Sequence, residues 1–410
     1  MMSLKRVILA GACALAIGGA ATAYAQAGKG GAGTATYWMT AETSSGMAAA
    51  ASGGGNQAAM MAAMMGRGGQ GAYIHNLILQ LGSGRRAAGQ PSAEHLPPTG
   101  LQAGPSLPLV SPAAAARTAP GAPWGSGADR PKGRMLIYWG CGERARAGQP
   151  VVVDFASLAA GKMPAGFNPT AFRPMTPPSP ANAATYGEWP NQRSQTRVPA
   201  GGSLVGDHVV RGNYTPEIRF SLGQGQDFLA PVALTANAAS ASGSVPLAWR
   251  PVIGAKAWLA STMGAAENGD MVMWSSSESQ AMASALDYAA PDELARLVQQ
   301  KLLLPATAER CTIPAEVGKA APQSMLTLVA FGGESNMAQP RPAAAAASWR
   351  PEWTVKLRTR SAHMGMLGMD MPDLSADSGD EDEGYAADEE QPKKSKKSKI
   401  KKGLGILLGN

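Results

Sequence analysis

Four histidines, His75, His95, His208 and His363, are the general bases this chain offers, so hydrolysis is the first chemistry to test against it. Asp207 and His208 are neighbours in a strand-like run, which points their side chains to opposite faces and prevents them from acting as acid and oriented base. No Gly-x-Ser-x-Gly elbow is present, and Ser275 to Ser277 have no histidine near them in sequence. Gly28-x-Gly30-x-x-Gly33 matches a dinucleotide fingerprint by letters alone, with no strand before it. The pattern therefore names no catalytic residue. Each histidine is expected to be exposed or capped, and the reading is of a protein that is not an enzyme.

Metal binding is the second chemistry. His363, Met364, Met366, Met369 and Met371 place thioethers beside an imidazole, and soft sulfur donors favour Cu(I). The segment is read as a flexible loop able to wrap such an ion, and it resembles in style the methionine motifs of periplasmic copper-handling proteins. Met60, Met61, Met64 and Met65 form a second cluster. The competing role for all of these is packing, because methionine is adaptable. Asp380 to Glu383 lack the spacing of a calcium loop and read as a solvated acidic run.

Residues 1–25 have the three parts of a secretory signal: Lys5 and Arg6, an apolar core from Val7 to Ala21, and Ala23-Tyr24-Ala25 before Gln26. Export to the periplasm or cell envelope of a bacterium is the expectation. Cys13 would leave with that segment. Cys141 and Cys311 then remain in an oxidising compartment, either as one disulfide or as two separate buried thiols. At the other end an acidic block is followed by Lys393, Lys394, Lys396, Lys397, Lys399, Lys401 and Lys402, then by Leu404, Ile406, Leu407 and Leu408. Such lysines favour an anionic leaflet and the short apolar plug can dip into its interface, but it cannot span a bilayer. A solubilising disordered tail is the alternative. The formal charge of +7 is scattered and builds no nucleic-acid motif.

The elements that must position these residues read as strands. Val245, Leu247 and Trp249 alternate with Pro246, Ala248 and Arg250, giving one apolar face. Further runs fall at 256–263 and 271–275, and an indole such as Trp249 can fill the gap of about 10 Å between packed sheets. Trp249-x-Pro251-Val252-x-Gly254-Ala255, with Trp258 beyond it, resembles the B and C strands of fibronectin type III modules; the resemblance covers about residues 243–277 and implies an immunoglobulin-like sandwich. Strands are also expected at 34–42, 73–81, 134–140, 151–155, 203–210, 217–222, 227–234, 310–313, 325–331 and 353–358. Residues 292–304 predict an amphipathic helix with Leu294, Leu297, Val298 and Leu302 on one face.

The resulting fold class is mainly β: two β-sandwich-like domains, a proline-rich insertion, one short helix in the second domain and a disordered charged tail. The boundaries are a signal peptide at 1–25 and an N-terminal β domain at 26–238, with Gly/Pro-rich coil at 82–132 and the insertion at 160–200. A fibronectin type III-like sandwich follows at 239–362, then a Met-rich, acidic and Lys-rich tail at 363–410. The hairpin 134–155 is expected at the centre of the first domain. The functional expectation is a non-enzymatic structural or binding protein of the cell envelope with no cofactor, whose tail touches a membrane or another envelope protein. A periplasmic Cu(I)-binding protein is the alternative.

Overall fold

The structure is a computed structural model, which describes residues 34–52, 73–112, 133–162, 164, 166–167, 172–194, 196–280 and 288–368. Residues 1–25, read above as a secretory signal, the Met60 to Met65 cluster and the chain from Met369 onward lie outside the described residues.

The protein is mainly β. Its strands in chain order are β1 (Ala35–Gly46), β2 (Tyr73–Ser83), β3 (Ala93–Leu96), β4 (Leu107–Leu109), β5 (Arg134–Trp139), β6 (Val151–Asp154), β7 (Thr185–Trp189), β8 (Gly206–Gly212) and β9 (Thr215–Leu222). They continue with β10 (Leu234–Ala236), β11 (Val245–Trp249), β12 (Ala257–Ala265), β13 (Met271–Ser275), β14 (Leu304–Pro305), β15 (Arg310–Ile313), β16 (Met325–Ala338) and β17 (Trp353–Met366). Four short α-helices accompany them among the described residues: α1 (Met47–Ser52), α2 (Phe155–Ala159), α3 (Pro291–Gln299) and α4 (Ala315–Ala320). Helix α3 starts on Pro291, whose missing N–H costs nothing at a helix start, with Asp292 and Glu293 in its first turn.

One broad sheet organises the chain, in the order β6-β5-β13-β12-β16-β17-β1-β2-β7, with β14 attached to β12. Two small sheets pack on the same side of it. The four-stranded sheet β4-β3-β8-β9 covers its β17-β1-β2 end, and the three-stranded sheet β10-β11-β15 covers its β13-β12-β16 end. Alternation builds each interface. Tyr37, Met39, Leu79, Leu81, Val355 and Leu357 of the broad sheet meet Leu107, Val210, Ile218 and Phe220 in the first lobe. Trp258, Ala260, Val272, Trp274 and Leu328 meet Val245, Leu247, Trp249 and Ile313 in the second.

This arrangement corrects several expectations. There are two sandwich layers, but no boundary at 238/239 separates them: β1 lies parallel to β17, and β5 parallel to β13. Parallel pairs join strands that are remote in sequence, so local periodicity holds no record of them. The hairpin β5-β6 is an edge of the broad sheet and not the centre of a first domain. Residues 82–132 were read as coil from their Gly and Pro content, yet β3 and β4 lie there, and β7 falls within the supposed insertion at 160–200. Strand β17 runs to Met366, so the tail does not begin at 363. Helices α1, α2 and α4 add to the single helix of the expected fold class, and residues 227–233 carry no strand.

Trp249 is buried at 2% exposure and its ring lies 5.5 Å from that of Trp258, on the opposite sheet. Trp258 donates its indole N–H to the Ala306 carbonyl, and Trp274 donates to that of Gly140. The Trp249 indole nitrogen has no acceptor among the described residues. Trp249→Phe therefore loses packing but relieves a desolvated donor, and the two effects oppose. The expected net cost is below about 1.5 kcal/mol in urea unfolding, since large-to-small core changes and unpaired N–H groups each count for 1–3 kcal/mol. A loss of 4 kcal/mol or more would show that the N–H is satisfied in solution.

Candidate functional site

The histidines are placed by strand alternation. His208 follows exposed Asp207 in β8 and shares the inner face with Val210, and His95 occupies the same position beside Ala93 in β3. Both are fully enclosed between the sheets of the first lobe. Tyr37 Oη lies 2.6 Å from His95 Nδ1, His95 Nε2 lies 2.8 Å from His208 Nδ1, and His208 Nε2 lies 2.7 Å from the Leu204 carbonyl oxygen. A carbonyl only accepts, so His208 carries its proton on Nε2 and accepts through Nδ1. His95 must then donate from Nε2 and accept at Nδ1, where the Tyr37 hydroxyl donates. Every proton in this line points one way, towards a backbone oxygen. Burial pushes the Tyr37 hydroxyl well above its ordinary pKa, with Tyr214 adding to the rise. It holds His95 well below the usual histidine range, reinforced by His208, and lowers His208 as well. Both imidazoles are neutral, and no carboxylate belongs to the line.

His75 stacks on Phe228 with ring centroids 3.9 Å apart and planes nearly parallel, and burial lowers its pKa against the opposing field of Asp227. Its Nδ1 has no partner among the described residues. The expectation that each histidine is exposed or capped is thus corrected for three of the four. A polar residue on a strand's inner face was not distinguishable from one on its outer face while β3 was read as coil.

His363 sits near the end of β17, opposite Ser45 of β1. Gly46 (φ +65°) lets the strands close here, since a Cβ at that position would lie 2.7 Å from the imidazole. The Ser45 hydroxyl lies 2.9 Å from the Val232 carbonyl oxygen and 3.1 Å from His363 Nδ1. Its single proton goes to the carbonyl, so His363 donates from Nδ1 and Ser45 accepts. That is the reverse of the polarity a histidine base needs to activate a serine. Burial pushes the His363 pKa down to about 4.

The same alternation bears on the described part of the copper-loop expectation. His363 faces inward with Ser361, whereas Met364 and Met366 lie on the outer face of β17, so the strand itself separates the imidazole from the thioethers. Met369 and Met371 lie outside the described residues, as do the seven lysines at 393–402 and the apolar plug Leu404 to Leu408. Cys141, in the loop after β5, and Cys311, in β15, form a disulfide that ties the broad sheet to the three-stranded one. No helix among the described residues is long and apolar enough to cross a membrane.

The outer face of the broad sheet divides into covered and open ground. On β17, Lys356 and Arg358 lie over the Trp38 ring, and Arg358 and Arg360 lie over that of Tyr288, 4.3–5.2 Å from the ring centroids. Lys356 also pairs with Glu334, and Arg360 with Glu42, while Arg358 donates to the Thr40 hydroxyl, so this basic ladder is engaged within the fold. Helix α3 covers Ala257, Leu259 and Phe331, while Phe155 at the start of α2 packs with Met135, Ile137 and Val153. From the second patch, against which Met273 packs, a row of methionines runs in register across four adjacent strands. Met273 pairs with Met263, Met263 with Met325, and Met325 with Met366. Met263 is 51% exposed and Met325 37%. Met364 occupies the next outer position of β17. This row is the candidate functional surface. Each methionine was visible in the sequence, but only the pairing of the strands shows that they are neighbours.

Comparison with known proteins identifies no relative: no protein-family model matches the chain, and neither a curated protein nor a solved structure matches it significantly.

Proposed function

We propose that this is an exported, non-enzymatic binding protein of the bacterial cell envelope that works through the outer face of its broad sheet. The observation that carries the reading is the pair Met263–Met325, large apolar side chains set side by side in the open. Solvent-facing sheet surface is ordinarily polar, and methionine suits a surface that must adapt to what it meets. Inward-facing histidines whose protons are committed to partners within the fold favour binding over catalysis. The sequence pattern of residues 1–25 and the Cys141–Cys311 disulfide both suit an oxidising compartment outside the cytoplasm. The partner is an apolar segment of another envelope protein, and the lysine-rich tail holds the molecule near an anionic membrane surface.

A photo-crosslinking side chain at position 261, one row from Met263 on the same face, tests this in living cells. A discrete adduct in the envelope fraction is expected, with none from position 217 on the exposed face of β9. Met263→Lys should reduce that adduct by about tenfold or more, the effect of desolvating one charge at an apolar contact. Equal adducts from positions 261 and 217, or an adduct indifferent to Met263→Lys, would sink the reading.

A further inference from the structure

From the register of four strands we infer that the methionine row is a thioether site for a soft monovalent metal ion, Cu(I). The inference rests on the binding-surface reading above and names a ligand for that surface. Neighbouring strands lie about 4.8 Å apart, and directly opposed side chains start from Cβ atoms about 5 Å apart. The methionine side chain is unbranched and has three rotatable bonds in all. Sulfurs from Met263, Met325 and Met366, on three consecutive strands, can therefore close on one ion, with Met273 and Met364 flanking them.

The surroundings select the metal. The adjoining outer-face row holds Ser275, Ser261, Thr327 and Met364, and the row beyond Met263 on the other side holds Ala265 and Met271. None of these register neighbours is a carboxylate or an imidazole. Hard cations need oxygen cages, and zinc needs thiolate, imidazole or carboxylate, so neither finds its donors here. Neutral thioethers suit Cu(I), whose single charge a polarisable sulfur set can hold without anionic help. The His363 imidazole, on the other face of β17, is not part of this set.

The test is a Cu(I) titration of the purified full chain, with ascorbate as reductant and bicinchoninate as competing chelator. The chain should withdraw one Cu(I) from the chelator. Met263→Leu/Met325→Leu should weaken that binding by about tenfold or more, because two of three sulfur donors are gone while apolar volume stays. Met369→Leu/Met371→Leu should leave it unchanged. In parallel, Ag(I) as a redox-inert probe should shift the methyl resonances of Met263, Met325 and Met366 in a chain labelled at methionine methyls. Binding that survives Met263→Leu/Met325→Leu intact overturns the inference, as does a chain that leaves all Cu(I) with bicinchoninate and shows no Ag(I) shifts at those methyls. The leucine variant keeps an apolar face, so the adduct from position 261 should persist in it. Loss of metal binding with that adduct retained removes only the metal. Loss of the adduct in the unsubstituted protein removes the surface itself.

Discussion

His95→Ala should cost about 3–6 kcal/mol of stability, the sum of two stranded polar groups at 1–3 kcal/mol each and a small cavity. The substitution removes the acceptor for Tyr37 and the donor for His208 at once, both enclosed between sheets. Tyr37→Phe is milder: it deprives only His95 Nδ1 of a partner, for about 1–3 kcal/mol. Urea unfolding of the three proteins at pH 7.5 checks the order. Equal stability of His95→Ala and the unsubstituted chain would mean that the line of hydrogen bonds is not formed.

The buried histidines, those of this line together with His75, make the fold sensitive to acid. Burial lowers the pKa values of His95, His208 and His75 below the value of about 6.5 that each regains on unfolding. In that window the unfolded chain binds more protons, so stability falls as pH falls, by up to about 1.4 kcal/mol per pH unit for each histidine. Asp207 and Asp227 oppose the shifts of His208 and His75, and Tyr37 and Tyr214 face the line uncharged. The hydrogen-bonded carboxylates Glu94, Asp270 and Glu293 have lowered pKa values, so their contribution is lost only at lower pH. A steep drop in unfolding midpoint between pH 7 and pH 5 is therefore a histidine effect. A flat profile there would contradict neutral burial.

Sequence reading and structure part company where contacts are long-range. Met271 to Ser275 and Arg310 to Ile313 were legible to the residue, and Val245 to Trp249 to within one, because alternation is a local property and turn residues close each run. Glycine and proline misled at 82–132: β3 and β4 are four and three residues long, and Pro108 lies on edge strand β4, where its missing donor is tolerated. The candidate surface was the least legible. Met263, Met273 and Met325 each look like ordinary strand methionines, whereas Met366 stood out only as part of the crowded run Met364 to Met371. Crowding along a strand sends alternate side chains to opposite faces; register across strands gathers them on one. Reading metal ligands from spacing alone favours the wrong geometry for a sheet.

Removing the Cys141–Cys311 disulfide should lower stability by as much as about 5 kcal/mol, the loop-closure value for a crosslink spanning 170 residues. The size follows from what the bridge encloses. Strands β6 to β14 all lie within the loop, including every strand of the three-stranded sheet except β15 itself. Hydrogen bonds already hold the bridge's surroundings: the Gly142 N–H donates to the Thr312 carbonyl at 2.8 Å, and the Ala315 N–H to that of Glu143 at 3.0 Å. The native state therefore needs no crosslink to keep these segments together, and the stabilisation acts through the unfolded chain. Cys141→Ala/Cys311→Ala should fold to the same far-ultraviolet spectrum and unfold at lower urea, and reductant should shift the unsubstituted protein to the same midpoint. A double variant as stable as the oxidised protein would show that the unfolded chain is already compact around this loop, and that packing of Trp249 against Trp258 holds the second lobe alone.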